Sequence, residues 1–145
     1  MNEKMTTEEI LEAQDAWGAA VKAGDADTLL ALYDFDNPNG PMLFKPTISA
    51  SVRTDKAGAR SYFVGGDPRY PLDTGFVKKG WVRVDFSSAA GPVFQAEGTL
   101  ANDMGEYLFV DGEGNEGRAN YTFSYRKVSG AVRIILHHSS FVYEP

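Results

Sequence analysis

The stretch GWVRVDFSS, residues 80–88, decides the fold class because it opens a long run of alternating sequence. Successive side chains of a strand point to opposite faces of a sheet. The alternation predicts that Trp81 faces one side and that Val82, Val84 and Phe86 face the other. Similar segments follow, and the sequences DGEGNEG and VSGA predict hairpin turns between them. Residues 76–145 are therefore predicted to form a sheet of four or five antiparallel strands.

The N-terminal half has helical periodicity instead. Thr6 and Glu9 have the spacing of a capping box, which predicts the start of a first helix. One apolar stripe follows at helical spacing: Ile10, Ala13, Trp17, Ala20 and Val21. A short second helix, ADTLLALY, begins after Asp25, and a third, DKAGARSYFV, is predicted to have its N-cap at Thr54. Between them, DNPNGP predicts a turn and MLFKP a short strand.

This order of elements predicts an α+β fold. Two helices, a strand and a third helix come before the meander, and a curved sheet that wraps on the helices would bury their apolar faces. The chain has 145 residues, of which 43% are hydrophobic, so it is long enough for one core. We expect a single domain over residues 1–145, with a pocket between the helices and the concave face of the sheet.

Composition excludes several functional classes. The net charge of −6 and the pI near 4.8 argue against nucleic-acid binding, because an acidic surface repels phosphates. The absence of cysteine excludes disulfides, thiolate nucleophiles and cysteine metal sites. The sequence lacks a signal peptide and a membrane span, so we expect a soluble protein with no membrane partner. It would be cytoplasmic, or in an organelle if a targeting segment has been removed.

The two histidines, His137 and His138, stand side by side in a predicted strand. Neighbouring strand residues face opposite ways, so both cannot bind one ion unless the strand is bulged. Catalytic zinc needs about three protein ligands, and the chain offers no further histidine or cysteine. We therefore predict no metal site. Strand alternation groups His138 and Ser140 with an apolar face, which predicts that these two end a pocket wall and that His137 is structural.

Two more polar residues are candidates for a site. Thr47 follows Pro46 at the end of a short strand, where it could stabilise a turn or offer a hydroxyl to a pocket. Tyr62 lies near the end of the third helix, where it could be a core residue or turn its hydroxyl into a cavity. Arg53 could be a surface charge or could tie the loop to a carboxylate.

Six segments, taken in order, resemble the iota-class carbonic anhydrases of the nuclear transport factor 2-like superfamily. They are MLFKPT, RTDKAGARSYFVGG, KGWVRVDF, ANDMGEYLF, YTFSYRK and RIILHHSS, which together extend from Met42 to Ser140. The same superfamily contains the association domain of calcium/calmodulin-dependent protein kinase II. The resemblance implies a cone-shaped α+β fold, a homodimer, and the interconversion of carbon dioxide and bicarbonate.

The resemblance also implies site residues. Thr47, Tyr62 and one serine of HHSS would contact bicarbonate, with a histidine beside them. The motif does not distinguish Ser139 from Ser140, and strand alternation selects Ser140, with His138 as a proton-handling neighbour. Family members are metal-free or manganese-dependent, and the scarcity of ligands favours the metal-free form over Mn²⁺ or Zn²⁺.

Two alternatives remain open on the same fold. The first is a non-catalytic module for small-molecule binding or oligomerisation, as in the kinase association domain. The second, a polyketide-cyclase-like enzyme, is disfavoured because no Asp/His acid–base pair stands out.

Overall fold

The computed structural model describes residues 3–38 and 42–145, and in that part of the chain it contains three α-helices and six strands. The helices are α1 (Thr7–Ala23), α2 (Ala26–Ala31) and α3 (Lys56–Val64). The strands are β1 (Leu43–Lys45), β2 (Trp81–Ser88), β3 (Val93–Gln95), β4 (Leu100–Asp111), β5 (Glu116–Val128) and β6 (Ala131–Phe141). The predicted α+β class is confirmed.

The strands form one sheet, in the order β1-β6-β5-β4-β2 over the described residues, with β3 paired to β4. The C-terminal strands pair antiparallel, as predicted, whereas β1 runs parallel to β6. This parallel pair sets Lys45 opposite His138, so the chain leaving β1 runs beside the last residues of β6.

The helix ends follow from local hydrogen bonding. The capping box of α1 is confirmed: the Thr6 hydroxyl accepts from the Glu9 N–H at 3.2 Å, and the Glu9 carboxylate accepts from the Thr6 N–H at 3.1 Å. The predicted N-cap of α3 at Thr54 was wrong. Asp55 caps this helix by accepting from the Gly58 N–H at 2.7 Å, because a carboxylate is the stronger acceptor for a helix N-terminus. The predicted turn DNPNGP lies partly outside the described residues.

The core forms where α1 packs on the concave face of the sheet. The Trp17 ring stacks on Tyr107 of β4, with 5.6 Å between centroids, and meets Phe86 and Phe123 edge-on. Ile10 and Val21, on the same helical stripe, are fully buried. These contacts fix α1 across the strands and leave a pocket beyond Trp17, toward α3.

A β-bulge near the start of β2 changes which side chains face the core. Trp81 lies opposite Asp111 and Arg83 opposite Val110, so Val82 is an extra residue in the ladder. Val82 is 60% exposed, whereas Trp81, Val84 and Phe86 all pack against the core. The prediction that Trp81 faces away from Val82 is therefore confirmed, but the prediction that it faces away from Val84 and Phe86 was wrong, because strict alternation does not continue through a bulge.

Candidate functional site

The candidate site is a small pocket between α1, α3 and the concave face of the sheet. Its walls are mostly aromatic, and its lining residues are Trp17, Phe44, Pro46, Thr47, Tyr62, Phe63, Phe76, Tyr107, Phe109, His137 and Ser139. The open space inside is about 10 Å³, similar to the roughly 10–15 Å³ that one buried water needs. The free space therefore matches one molecule of about the size of water.

A second β-bulge, in β6, determines which histidine and serine enter this pocket. Tyr125 of β5 lies opposite Ile134 and Ser124 lies opposite Leu136, so Ile135 is an extra residue in β6. Before the bulge the even-numbered Ile134 faces the core, and after it the odd-numbered residues do. Along β6, the residues that face the core thus change from even-numbered to odd-numbered positions at the bulge.

The prediction that His138 and Ser140 face the pocket was wrong for this reason. His137 and Ser139 are each 2% exposed and line the pocket. His138 is exposed, and together with Ser140 and Met104 it lines a shallow groove on the opposite, convex face. The motif HHSS does contribute one histidine and one serine to the pocket, but they are the other member of each pair.

Thr47 and Tyr62 both reach the pocket, and they reach it from different elements. Thr47 follows Pro46 directly after β1, and the parallel pairing of β1 with β6 brings its hydroxyl into a short hydrogen bond with Ser139 Oγ. Tyr62 projects from the last turn of α3. Burial raises the pKa of Tyr62, although the nearby Ile48 N–H and Thr47 hydroxyl partly oppose this rise. The phenol therefore stays neutral.

Three buried aromatic residues extend this polar cluster, and the sequence did not single them out. The Trp17 indole N–H donates to the Tyr33 hydroxyl at 2.9 Å, which in turn lies 2.9 Å from His137 Nδ1. On the other side of the ring, the Tyr107 hydroxyl lies 3.2 Å from His137 Nε2 and donates to Ser139 Oγ at 2.5 Å. One continuous row of hydrogen bonds thus joins the helix α1 to Thr47.

The electrostatics of the pocket are those of neutral groups. No Asp, Glu, Lys or Arg side chain is among its lining residues in the part of the chain that is described. Burial holds the pKa of His137 well below its ordinary value, and the neighbouring His138 lowers it further, so the imidazole is neutral at pH 7. Burial likewise raises the pKa of Tyr107 and Tyr33. The cluster can donate and accept hydrogen bonds, but its members are poor acids and bases near neutrality.

Arg53 lies outside the pocket and holds α3 in place beside it. It is fully buried and forms a bidentate ion pair with Asp73, both N–O distances being 2.8 Å. Its guanidinium also donates to the Gly58 carbonyl at 2.8 Å and stacks on the Tyr70 ring, 3.7 Å from the centroid. Of the two possibilities for Arg53, the structure has the tie to a carboxylate. This tie fixes α3, and with it Tyr62, against the loop after α3.

The described residues offer no group of three or more His, Cys, Asp or Glu side chains arranged to hold a metal ion. None of their helices is both long and apolar enough to cross a membrane.

Comparison with known proteins identifies relatives of this chain. A family model described as metal-independent carbonic anhydrase matches residues 8–141. A protein of that description from Nostoc sp. is 38% identical over 161 aligned positions, covering 99% of this chain and 77% of the relative. The crystal structure of a cyanobacterial iota-carbonic anhydrase complexed with bicarbonate is 35% identical, with a TM-score of 0.88, and the match covers 100% of this chain and 97% of that one.

A more distant structure shows how far the fold extends. A nuclear transport factor 2-like protein of unknown function from Shewanella oneidensis is 15% identical, with a TM-score of 0.68 over 94% of this chain and 99% of that one. At this identity the likeness concerns the fold alone. It confirms the predicted nuclear transport factor 2-like fold, and the closer matches confirm the resemblance to the iota class.

Proposed function

The chain belongs to the metal-independent carbonic anhydrase family, and we propose that the pocket between α1, α3 and β6 is where it interconverts carbon dioxide and bicarbonate. The observation that carries this proposal is the convergence of three hydroxyls, from Thr47, Tyr62 and Ser139, on one small aromatic-walled pocket. We propose that these three residues contact the substrate. His137 and Tyr107 lie directly behind them.

The aromatic walls suit the neutral substrate, because carbon dioxide is small and apolar. In the hydration direction, a water oxygen bonds to the carbon of carbon dioxide, one O–H bond of that water breaks, and bicarbonate and a proton are formed. Negative charge develops on the substrate oxygens during this step. Neutral hydroxyl donors held in place by the surrounding protein stabilise such charge without having to reorganise.

The proton released by the water leaves toward solvent in this proposal. An inward route would have to protonate His137, whose pKa is held low by burial. The Tyr62 and Tyr107 phenols have raised pKa values, so both act as hydrogen-bond partners rather than as bases at neutral pH. His138 takes no part in proton transfer in this proposal, because it lies on the convex face.

Stopped-flow measurement of carbon dioxide hydration, with a chelator present, tests the proposal. We expect catalysis above the buffer rate that survives the chelator, since the family is metal-independent. Hydration no faster than buffer would overturn the enzymatic function and favour the non-catalytic module. Activity that is lost with chelator and restored by Mn²⁺ or Zn²⁺ would overturn the metal-free mechanism while leaving the activity in place.

We also propose that the single domain, residues 1–145, works as a homodimer through the convex face of the sheet. Leu43, Leu136 and Met104 are respectively 44%, 38% and 61% exposed there. Leu43 pairs with Leu136, while Met104 and His138 both lie opposite Thr122. The three apolar side chains thus share one surface across β1, β6 and β4, and a second copy of that surface would cover them.

Light scattering after size exclusion tests this assembly. Met104→Glu should yield monomers, because a charge buried without a partner opposes association. Leu11→Glu, at an exposed apolar position on α1, is the matched control and should leave the dimer intact. A monomeric wild-type protein, or a dimer unaffected by Met104→Glu, would contradict the proposal.

A further inference from the structure

The row of hydrogen bonds behind the pocket runs from Trp17 to Thr47, and at its Trp17 end the donor and the acceptor can be assigned with certainty. The Trp17 indole N–H can only donate, so the Tyr33 oxygen must accept from it. The hydroxyl proton of Tyr33 needs an acceptor of its own, because this side chain is buried. Among the described residues, its remaining side-chain partner is His137 Nδ1, at 2.9 Å. Tyr33 therefore donates to Nδ1.

This first step determines the steps that follow. A neutral imidazole that accepts at Nδ1 carries its proton on Nε2, and that N–H donates to the Tyr107 oxygen at 3.2 Å. The Tyr107 proton is then free for Ser139 Oγ, at 2.5 Å. Ser139 in turn donates to Thr47 Oγ1. The Thr47 proton is left at the open end of the row, beside the pocket and the Tyr62 oxygen.

The other neutral tautomer of His137, with its proton on Nδ1, would leave a buried hydrogen-bond donor without an acceptor. If His137 carried its proton on Nδ1, that N–H would donate to Tyr33, whose oxygen would then accept from both sides. The Tyr33 proton would face only donors. An unsatisfied buried donor of this kind disfavours that tautomer by roughly 5- to 150-fold.

We infer that Trp17 and Tyr33 are positioning residues, which fix the His137 proton on Nε2 and thereby make Thr47 a hydrogen-bond donor toward the pocket. The inference rests on the proposed function of the pocket. Its consequence for the reaction is that Thr47 meets the developing bicarbonate oxygen as a donor before charge appears there. The indole end accepts no proton, so the row orients hydroxyls and does not conduct protons out of the site.

Nitrogen NMR of the wild-type protein tests the proton order directly. Long-range ¹H–¹⁵N correlation on protein labelled with ¹⁵N-histidine distinguishes the two neutral tautomers. His138→Gln, a change at the exposed residue, assigns the signals of His137. We expect His137 in the Nε2–H form at pH 7.5, by at least about fivefold over the other. An Nδ1–H form, an equal mixture or an imidazolium would overturn the inference.

Tyr33→Phe tests the positioning role. Without the Tyr33 hydroxyl, either tautomer of His137 leaves Nδ1 unpartnered, so the preference for Nε2–H weakens and an Nδ1–H fraction becomes measurable. We expect kcat for hydration to fall by about threefold to tenfold, because Thr47 is no longer held as a donor. Tyr125→Phe is the matched control: it removes a buried phenol hydroxyl that meets Gln14 Nε2 at 3.4 Å, away from the row.

The outcomes separate the inference from the function on which it rests. Equal effects of Tyr33→Phe and Tyr125→Phe on kcat and on the tautomer ratio would overturn the positioning role. If Tyr33→Phe fails to fold, the wild-type tautomer still decides the proton order. Wild-type protein without hydration activity would overturn the proposed function, and with it the role in catalysis, while the NMR result would stand separately.

Discussion

Ser139→Ala and Ser140→Ala remove the same hydroxyl from neighbouring residues of β6, yet only one of the two hydroxyls lies in the pocket. Ser139 Oγ is buried, accepts from Tyr107 at 2.5 Å and pairs with Thr47. Ser140 lies on the convex face, in the groove beside His138. The two variants therefore form a matched pair that isolates the effect of the bulge in β6.

The structure gives the expected size of each effect. Ser139→Ala takes away a proposed substrate contact and also leaves the buried Tyr107 hydroxyl without its acceptor. Removing one preorganised donor from a site of this kind costs about 10²–10³ in rate where it is fully used. We expect a loss of at least about tenfold in kcat/KM for hydration, with Ser140→Ala within about twofold of wild type.

Stability provides an independent measure of the same change. The unsatisfied Tyr107 hydroxyl should cost about 1–3 kcal/mol in the Ser139→Ala protein. For a domain of this size that corresponds to a fall of roughly 3–10 °C in Tm. Stopped-flow hydration and thermal unfolding on both variants are the assays. Loss of activity in Ser140→Ala with full activity in Ser139→Ala would refute the assignment of the pocket face.

Two further predictions concern buried ionisable side chains. The pKa of His137 is lower in the folded than in the unfolded protein, so its contribution to stability is complete above pH ~6.5 and falls by up to about 1.4 kcal/mol per pH unit below that value. Denaturant unfolding at pH 7.5, 6.0 and 5.0 should show this fall in the wild type and in His138→Gln but not in His137→Phe. An equal dependence of the unfolding free energy on pH in all three proteins would contradict the prediction. Arg53→Met leaves Asp73 buried without its partner, which should cost about 3–5 kcal/mol and lower Tm by roughly 10–17 °C. Arg83→Met, at an exposed ion pair, should change Tm little, and similar Tm values for the two variants would exclude the structural role of Arg53.

Local signals in the sequence predicted the elements well, because their causes are local. The capping box of Thr6 and Glu9 depends on residues three apart, and the hairpin turns depend on a few glycines and polar residues. Thr47 and Tyr62 were found through the resemblance to a family, and both lie in the pocket. The identity of the α3 N-cap was missed because Thr54 and Asp55 are both good caps and stand next to each other.

The facing of individual strand residues could not be predicted, because a bulge is a property of the pairing between two strands. The extra residues, Val82 and Ile135, look like ordinary strand residues in the sequence. Tyr33, Tyr107 and Trp17 were missed for a related reason. Each looks like a core aromatic residue on its own strand or helix, and their polar atoms meet only after α1, α2, β4 and β6 have packed together.

The paired residues of HHSS supply the pocket wall with the same side-chain types whether or not β6 has the bulge at Ile135. In a regular β6 the even-numbered residues would continue to face inward, and His138 and Ser140 would stand where His137 and Ser139 now stand. The pocket would still receive one imidazole and, two residues later, one hydroxyl. Because each residue type occurs twice in succession, the pocket wall receives the same side-chain types whichever set of β6 residues faces inward. A shift of the strand by one residue would replace each inward side chain with another of the same type.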